Sequence, residues 1–218
     1  MPQTPMMRNN MTTLKEPKGI LLVVSGAAGT GKGTVNSILM KNHPEFVFSV
    51  SATTRQPRPG EIDGREYHFI TREQFEEKIK NGGVIEYTEY CGNYYGTLKS
   101  ELSKLDEGKN LILEIEVEGA MNIKRLFPES VAVFILPPDY DTLKSRLVNR
   151  GTNTADDIEN RMKRALEEFV LVSNYDYLVV NDDGKAYDAA EAIYEIVKSE
   201  QHRSLRNADA MQKLFFNK

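Results

Sequence analysis

An α/β fold on a parallel sheet is what this 218-residue sequence predicts, and three observations predict it. Apolar, β-branched runs recur at "ILLVVS" (20–25), "NLILEIEV" (110–117), "SVAVFIL" (130–136) and "DYLVV" (176–180), as expected of strands covered on both faces. A helical pattern separates each run from the next, which is the signature of βαβ units with helices packed on the sheet. The composition, 40% hydrophobic and 28% charged with a formal net charge of −4, is that of an ordinary globular chain able to bury one core.

Taken in order, residues 1–18 are polar, methionine-rich and aperiodic, and read as a flexible N-terminal extension. The folded unit is expected over 19–198. After the first strand, "TVNSILMKN" places Val35, Ile38 and Leu39 on one helical face and stops at "NHP". Between 46 and 98 the texture changes to short strands and turns, "FVFSVS", "REYHFI" and "GVIEYTEY", with one short helix opened by the capping pattern "TREQ". We read this as a lobe inserted into the α/β core, at about 51–98. Helices follow at 139–150, between "PP" and "RG", and at 156–173, where Ile158, Met162, Ala165, Phe169 and Val172 form one stripe. A last helix at 186–199 turns Ala189, Ile193 and Ile196 inward, and 199–218 reads as a polar tail with a weak apolar end.

Several function classes are excluded at this stage. Mild net acidity speaks against a bulk nucleic-acid partner, which would call for a basic footprint. One cysteine, Cys91, allows neither an intrachain disulfide nor a multi-cysteine zinc site; with no secretory signal pattern, the cytoplasm is expected. No stretch reaches the ~20 apolar residues of a membrane span.

The chemistry begins at "GAAGTGKGT" (26–34), between a strand and a helix. Gly26, Gly31 and Lys32 fit the phosphate-loop pattern of glycine, four residues, Gly-Lys and then Ser or Thr. Gly26, Ala27, Ala28, Gly29, Thr30, Gly31, Lys32, Gly33 and Thr34 are therefore expected to wrap nucleotide phosphates with backbone N–H groups, Lys32 reaching the β and γ phosphates. Gly33 departs from the pattern, because the hydroxyl arrives one place late at Thr34. Magnesium is then expected to be held more by nucleotide oxygens and water than by the loop.

The stretch "SVSATTRQPRPGEIDGREYHF" (49–69), followed by "IEYTEYCGNYYGT" (85–97), closely resembles the acceptor lobe of guanylate kinases. With "EIEVEGA", "NRGT" and "VVND", the resemblance covers nearly all of 19–198. It implies a three-layer α/β/α phosphate-loop core on a parallel five-stranded sheet, an inserted mixed α+β lobe that binds the acceptor, and a small lid at about 150–161. The implied reaction transfers the γ-phosphate of ATP to GMP, and to dGMP, with Mg2+ as cofactor.

Each implied role has its own chemistry. Arg55 and Arg58 sit three apart in a proline-stiffened loop and can present two planar forks to one phosphate. The resemblance adds Tyr67 and Tyr95 to that GMP phosphate site. Guanine offers N1–H and an exocyclic amine as adjacent donors, which one carboxylate can accept, and Glu86 matches the family position that does so. Ser51, Gly96 and Thr97 match positions around the base. Glu114 and Glu116, two apart on an expected strand, point to one face; the resemblance implies a water-mediated metal role for Glu114 and the guanine amine for Glu116. On the donor side Arg146 and Arg150, four apart on a helix, and Arg161 on the next helix match lid arginines that neutralise the moving phosphoryl group, and Asn181 matches a position near adenine. Lys32, Arg55, Arg146, Arg150 and Arg161 form the expected catalytic set.

No general base is needed, since the attacking GMP phosphate oxygen is already anionic near neutral pH. His43, His68 and His202 read as structural or exposed, and Cys91 as packing. Two rival readings share these residues: an interaction module of the same family that has lost catalysis, and a phosphate-loop enzyme with another acceptor. Glu86, Ser51 and Thr97 discriminate against the second; the intact loop and lid arginines argue against the first.

Overall fold

The computed structural model describes residues 19–149 and 154–216. The chain enters through β1 (Leu21–Ser25), runs through the phosphate-loop segment into α1 (Lys32–Asn42), and stops that helix at His43, one residue before Pro44 bars a further turn. A short strand, β2 (Phe46–Phe48), follows. Residues 52–98 then build a second layer: β3 (Ala52–Thr53), β4 (His68–Phe69), α2 (Arg72–Lys80), β5 (Val84–Tyr90) and β6 (Asn93–Leu98). The α2 helix opens with the capping box seen in the sequence, Thr71 accepting from Gln74 N–H while the Gln74 side chain accepts from Thr71 N–H. A 3-10 turn and α3 (Ser103–Asp106) lead back to β7 (Asn110–Glu114), α4 (Val117–Leu126), β8 (Val131–Leu136), α5 (Tyr140–Asn149), α6 (Ala155–Phe169), β9 (Tyr177–Val180), α7 (Ala186–Gln201) and α8 (Ser204–Phe215).

The five core strands are all parallel, in the order β2-β7-β1-β8-β9. β1 shows why three layers form. Its even residues, Leu22 and Val24, pack against Val35 and Leu39 of α1 and Ile193 and Val197 of α7. Its odd residues, Leu21 and Val23, pack on the opposite face with Val117, Ala120 and Ile123 of α4 and with Phe134. Each such side chain contributes roughly 1.5–3 kcal/mol of burial, so a polar residue on either face would be costly. The second sheet, β4-β3-β6-β5, closes over a much smaller core of Ala52, Phe75 and Leu98.

Four expectations change. "FVFSVS" was expected in the lobe, yet Phe46–Phe48 pairs with β7 in the core sheet, and the crossing to the second sheet comes only after it. The strand expected over 110–117 ends at Glu114; Glu116 is instead the N-cap of α4, with Ile115 between them held by Ser25 Oγ donating to its carbonyl at 2.7 Å. The helix expected to reach 173 ends at Phe169, leaving Val172 in a 3-10 turn. The tail after 199 is not irregular: α7 runs to Gln201 and α8 follows, anchored where Glu200 accepts from Arg203 and Arg206.

Candidate active site

In a parallel sheet, ligands gather at the carboxyl ends of strands where the chain order reverses direction. Here β1 lies between β7 and β8, so the loop after β1 occupies that crevice. Its geometry follows from its glycines. Gly31 caps α1 in the left-handed region at φ 87°, and a Cβ there would lie 2.3 Å from Asn181 Nδ2, so a side chain is excluded twice over. No side chain caps the helix, which leaves the first-turn N–H groups to an anion. Thr30 donates to the Ala27 carbonyl at 2.9 Å, and Asn181 Nδ2 donates to the Thr30 carbonyl at 2.8 Å. Ala27 itself is buried among Leu143, Leu147, Met162 and Ala165, so α5 and α6 brace the loop from behind. Lys32 folds its ammonium back onto the Gly26 carbonyl and, at 3.2 Å, onto that of Ala27.

Over this loop lies a cleft of about 550 Å³ whose wall includes Gly26, Ala28, Lys32, Glu114, Glu116 and Arg161. Residues that the sequence did not single out complete it: Asp157, Asn160, Arg164 and Glu168, all on α6. Their signal was available, since at 100° per residue they form a polar strip along one flank of the apolar stripe of that helix. Arg164 donates to Glu116 at 2.6 Å and pairs with Glu168 at 3.3 Å. Burial pushes the Glu168 carboxyl up, against the opposing pull of Arg164 and Lys32.

A second cleft, of about 370 Å³, shares Glu114, Ile115 and Glu116 with the first. It is lined from the second sheet by Ser51, Tyr67, Glu86, Tyr95 and Gly96, with Tyr87, Tyr90 and Asn122 as unforeseen members. Glu86 reaches it by an irregularity. The β5–β6 register shifts between Val84 and Glu86, so Val84 packs on the Phe75 cluster while Glu86 faces the cleft opposite Thr97. Thr97 Oγ1 donates to Glu86 Oε1 at 2.7 Å, and burial nevertheless pushes the Glu86 carboxyl up. Gly96 permits this packing, because a Cβ there would lie 2.5 Å from the Glu86 carbonyl.

At the edge of this cleft the two arginines are not idle forks. Arg55 makes a two-pronged pair with Glu61, both contacts at 2.9 Å, and the Arg58 N–H donates to the same carboxylate at 2.7 Å. Glu61 therefore stands where an anion can be held, and its pKa is lowered to about 2 by Arg55 and by the Arg58 N–H. Arg55 also lies over the Tyr67 ring at 5.5 Å, and the Tyr67 and Tyr95 rings meet edge-on at 5.9 Å.

Not every expected residue converges. Arg146 is engaged by Asp183 at 2.5 Å and by the Asn181 carbonyl at 2.9 Å, and it does not line the phosphate cleft beside Arg161. Asn181 braces the loop through Thr30. Thr34 is exposed on α1, and the polar group that α1 sends toward Glu114 is Asn36. Cys91, expected to pack, is exposed at the β5–β6 turn with φ 49°. His43 stacks on Tyr194 and meets Glu191, and His68 lies 3.6 Å from Glu101, both away from the clefts. Arg150 and the segment 150–153 lie outside the described residues, as do residues 1–18.

A phosphate loop at the switch point of a parallel sheet, facing a second cleft that presents a carboxylate and a hydroxyl, defines a two-substrate nucleotide-binding protein. A family model for guanylate kinase matches residues 18–200. A guanylate kinase of Lactococcus lactis is 50% identical over 187 residues, covering 85% of this chain and 90% of the relative. One from Clostridium tetani is 48% identical over 195 residues, covering 89% and 92%. The crystal structure of guanylate kinase from Anaplasma phagocytophilum superposes with a TM-score of 0.69 at 31% identity, covering 92% of this chain and 97% of that one. The chain belongs to the guanylate kinase family.

Proposed function

We propose that this protein transfers the γ-phosphoryl group of ATP to GMP, and to dGMP as a second acceptor, giving ADP and GDP. The observation that carries the reading is the shared wall: Glu114, Ile115 and Glu116 border both the cleft over Lys32 and the cleft that holds Glu86. Two nucleotides seated there meet end to end, and a GMP phosphate oxygen can attack the γ-phosphorus as its bond to the β–γ bridging oxygen breaks. Because that oxygen is already anionic, alignment and charge neutralisation supply the catalysis.

In this reading Lys32 and the loop N–H groups hold the ATP phosphates, and Arg161 meets charge on the moving group. Arg146 and Arg55 join them by exchanging Asp183 and Glu61 for phosphate. Arg58, Tyr67 and Tyr95 seat the GMP phosphate; Glu86 accepts from guanine N1–H and the amine, with Ser51 and Thr97 defining the base edge. Residues 52–98 act as the acceptor lobe and 150–161 as the lid, closing together so that water does not consume ATP. The residues present suit Mg2+: Glu114 offers a hard carboxylate oxygen beside Lys32, and no group of three or more His, Cys, Asp or Glu among the described residues forms a protein-only site. Mg2+ carried in with ATP would offset charge on the β and γ phosphates, with Glu114 reaching it through water. A cytoplasmic enzyme is consistent with the absence, among the described residues, of any helix long and apolar enough to cross a membrane.

The test is a coupled ADP-release assay with ATP and Mg2+ against GMP, dGMP, AMP, CMP, UMP and no acceptor. Turnover with the guanine nucleotides alone supports the reading. Glu86→Gln should cut guanine use by about tenfold or more, from ~1–3 kcal/mol of lost pairing, while ATP affinity holds. An unchanged acceptor profile would sink the assignment of Glu86, and silence with all acceptors would favour a binding module.

A further inference from the structure

Asn36 is fully buried, on the core-facing side of α1 between Val35 and Leu39. Polarity is expensive at such a place unless every polar atom is satisfied. Asn36 is satisfied on one side only. Its Nδ2 donates to Glu114 Oε2 at 2.8 Å, whereas Oδ1 has no hydrogen-bond partner among the described residues. An apolar residue of the same shape would avoid the orphaned acceptor, so the feature that distinguishes asparagine here is the bond to Glu114.

The position of Asn36 explains what that bond can do. It lies three residues after Gly33, on the same face of α1, and helical side chains lean back toward the N-terminus. It thus approaches the site from the face on which the phosphate-loop pattern ordinarily carries a hydroxyl at residue 33. This chain has room for that hydroxyl, because a Cβ on Gly33 would meet nothing within 4 Å. Thr34 is exposed and does not line the cleft. Glu114, at the end of β7, is exposed, and a glutamate there has one more torsion to fix than an aspartate. The amide clamps one carboxylate oxygen and leaves the other, Oε1, without a protein partner among the described residues.

We propose that Asn36 is a positioning residue for the metal side of the donor site: by fixing Glu114 it supplies from the second turn of α1 the anchoring that a hydroxyl at residue 33 would provide from the first. The proposal rests on the phosphotransferase reading above. It predicts that the gain in nucleotide affinity brought by Mg2+ depends on the Asn36–Glu114 bond, while metal-free affinity does not.

The experiment is titration calorimetry of ADP binding with and without Mg2+, on the full chain and its variants, which requires no turnover. Asn36→Ala should reduce the magnesium-dependent gain by about tenfold and leave metal-free ADP affinity within about twofold. Adding Gly33→Ser to Asn36→Ala should restore the gain. Asn36→Leu guards against simple unfolding: it removes the orphaned acceptor at similar volume, so it should melt no lower than the parent chain and still lose the gain. Equal losses with and without Mg2+, or an intact gain in Asn36→Leu, would overturn the proposal by reducing Asn36 to packing. If the parent chain binds no ADP at all, the phosphotransferase reading fails, and this proposal with it.

Discussion

The donor side and the acceptor side of this molecule are built by opposite means. On the proposed function the phosphate loop grips with main chain: it is braced by the buried Ala27, by Asn181 and by two helices, and it sits on a sheet packed on both faces. On that same function the acceptor sheet selects with side chains: Glu86, Tyr95 and Thr97 are carried on β5 and β6, and Arg55 and Tyr67 on the segments flanking β3 and β4, over a buried core of three residues. A phosphate is the same in every nucleotide and can be met by rigid backbone, whereas a base is told from its rivals only by placed donors and acceptors. The difference teaches that stability and selectivity here reside in separate parts of the chain, and each can be perturbed with the other as control.

The largest effect should come from the thin core. Phe75 is fully buried against Ala52 and Leu98, and Phe75→Ala should cost about 3–5 kcal/mol locally. Acceptor use should collapse while ADP binding persists, as read by calorimetry beside thermal unfolding; equal loss of both would break the separation. Next, Lys32→Met should lower kcat by ~10²–10³-fold with little change in the KM for GMP, because the ammonium serves charge on the donor. Third, Glu86 gives the acceptor side a pH signature. Burial raises its carboxyl, so as pH falls it loses its charge earlier than an exposed glutamate, and with the charge goes its capacity to accept both guanine donors. The KM for GMP should climb by ~tenfold per pH unit below that raised value, and Glu86→Gln should flatten this limb across the same range. Protonation of GMP itself affects both proteins and cancels in the comparison. The smallest effect belongs to Gly33, a helical glycine with open space around it. Gly33→Ala should stabilise the fold by about 0.4–1 kcal/mol in a denaturant titration.

The two sides also differ in how far they could be read from sequence. The core was legible because each strand is a continuous apolar run and each helix carries a stripe, and "GAAGTGKGT" announces its own conformation through its glycines. On the acceptor side the motif supplied the residues but not their present partners. That Arg55 is already paired with Glu61, or that a register shift turns Glu86 away from the Phe75 cluster, depends on contacts made across a turn and across two strands. Phe46–Phe48 was placed in the lobe because three residues are too few to show which sheet they join. The helical tail was missed because α8 lacks a side-chain N-cap; its anchor is the Glu200 cluster, which brings together residues from α7, α8 and, through Tyr177, β9.

One feature of the core topology sets how such a protein can change. β2 and β7 are neighbours and run parallel, so the chain leaving one must travel back over the sheet to enter the other, and every such unit needs a crossover. The whole second sheet, residues 52–98, lies inside that obligatory return. Its entry and exit are held side by side by one carboxylate, Glu101, which accepts from Val50 N–H at 2.7 Å on the way out and from Lys104 at 2.7 Å on the way back. On the proposed function, acceptor choice is thus lodged in a connection that the sheet requires but whose content it does not dictate. A lineage could exchange that cassette, and with it the molecule receiving phosphate, while every core strand keeps its neighbours.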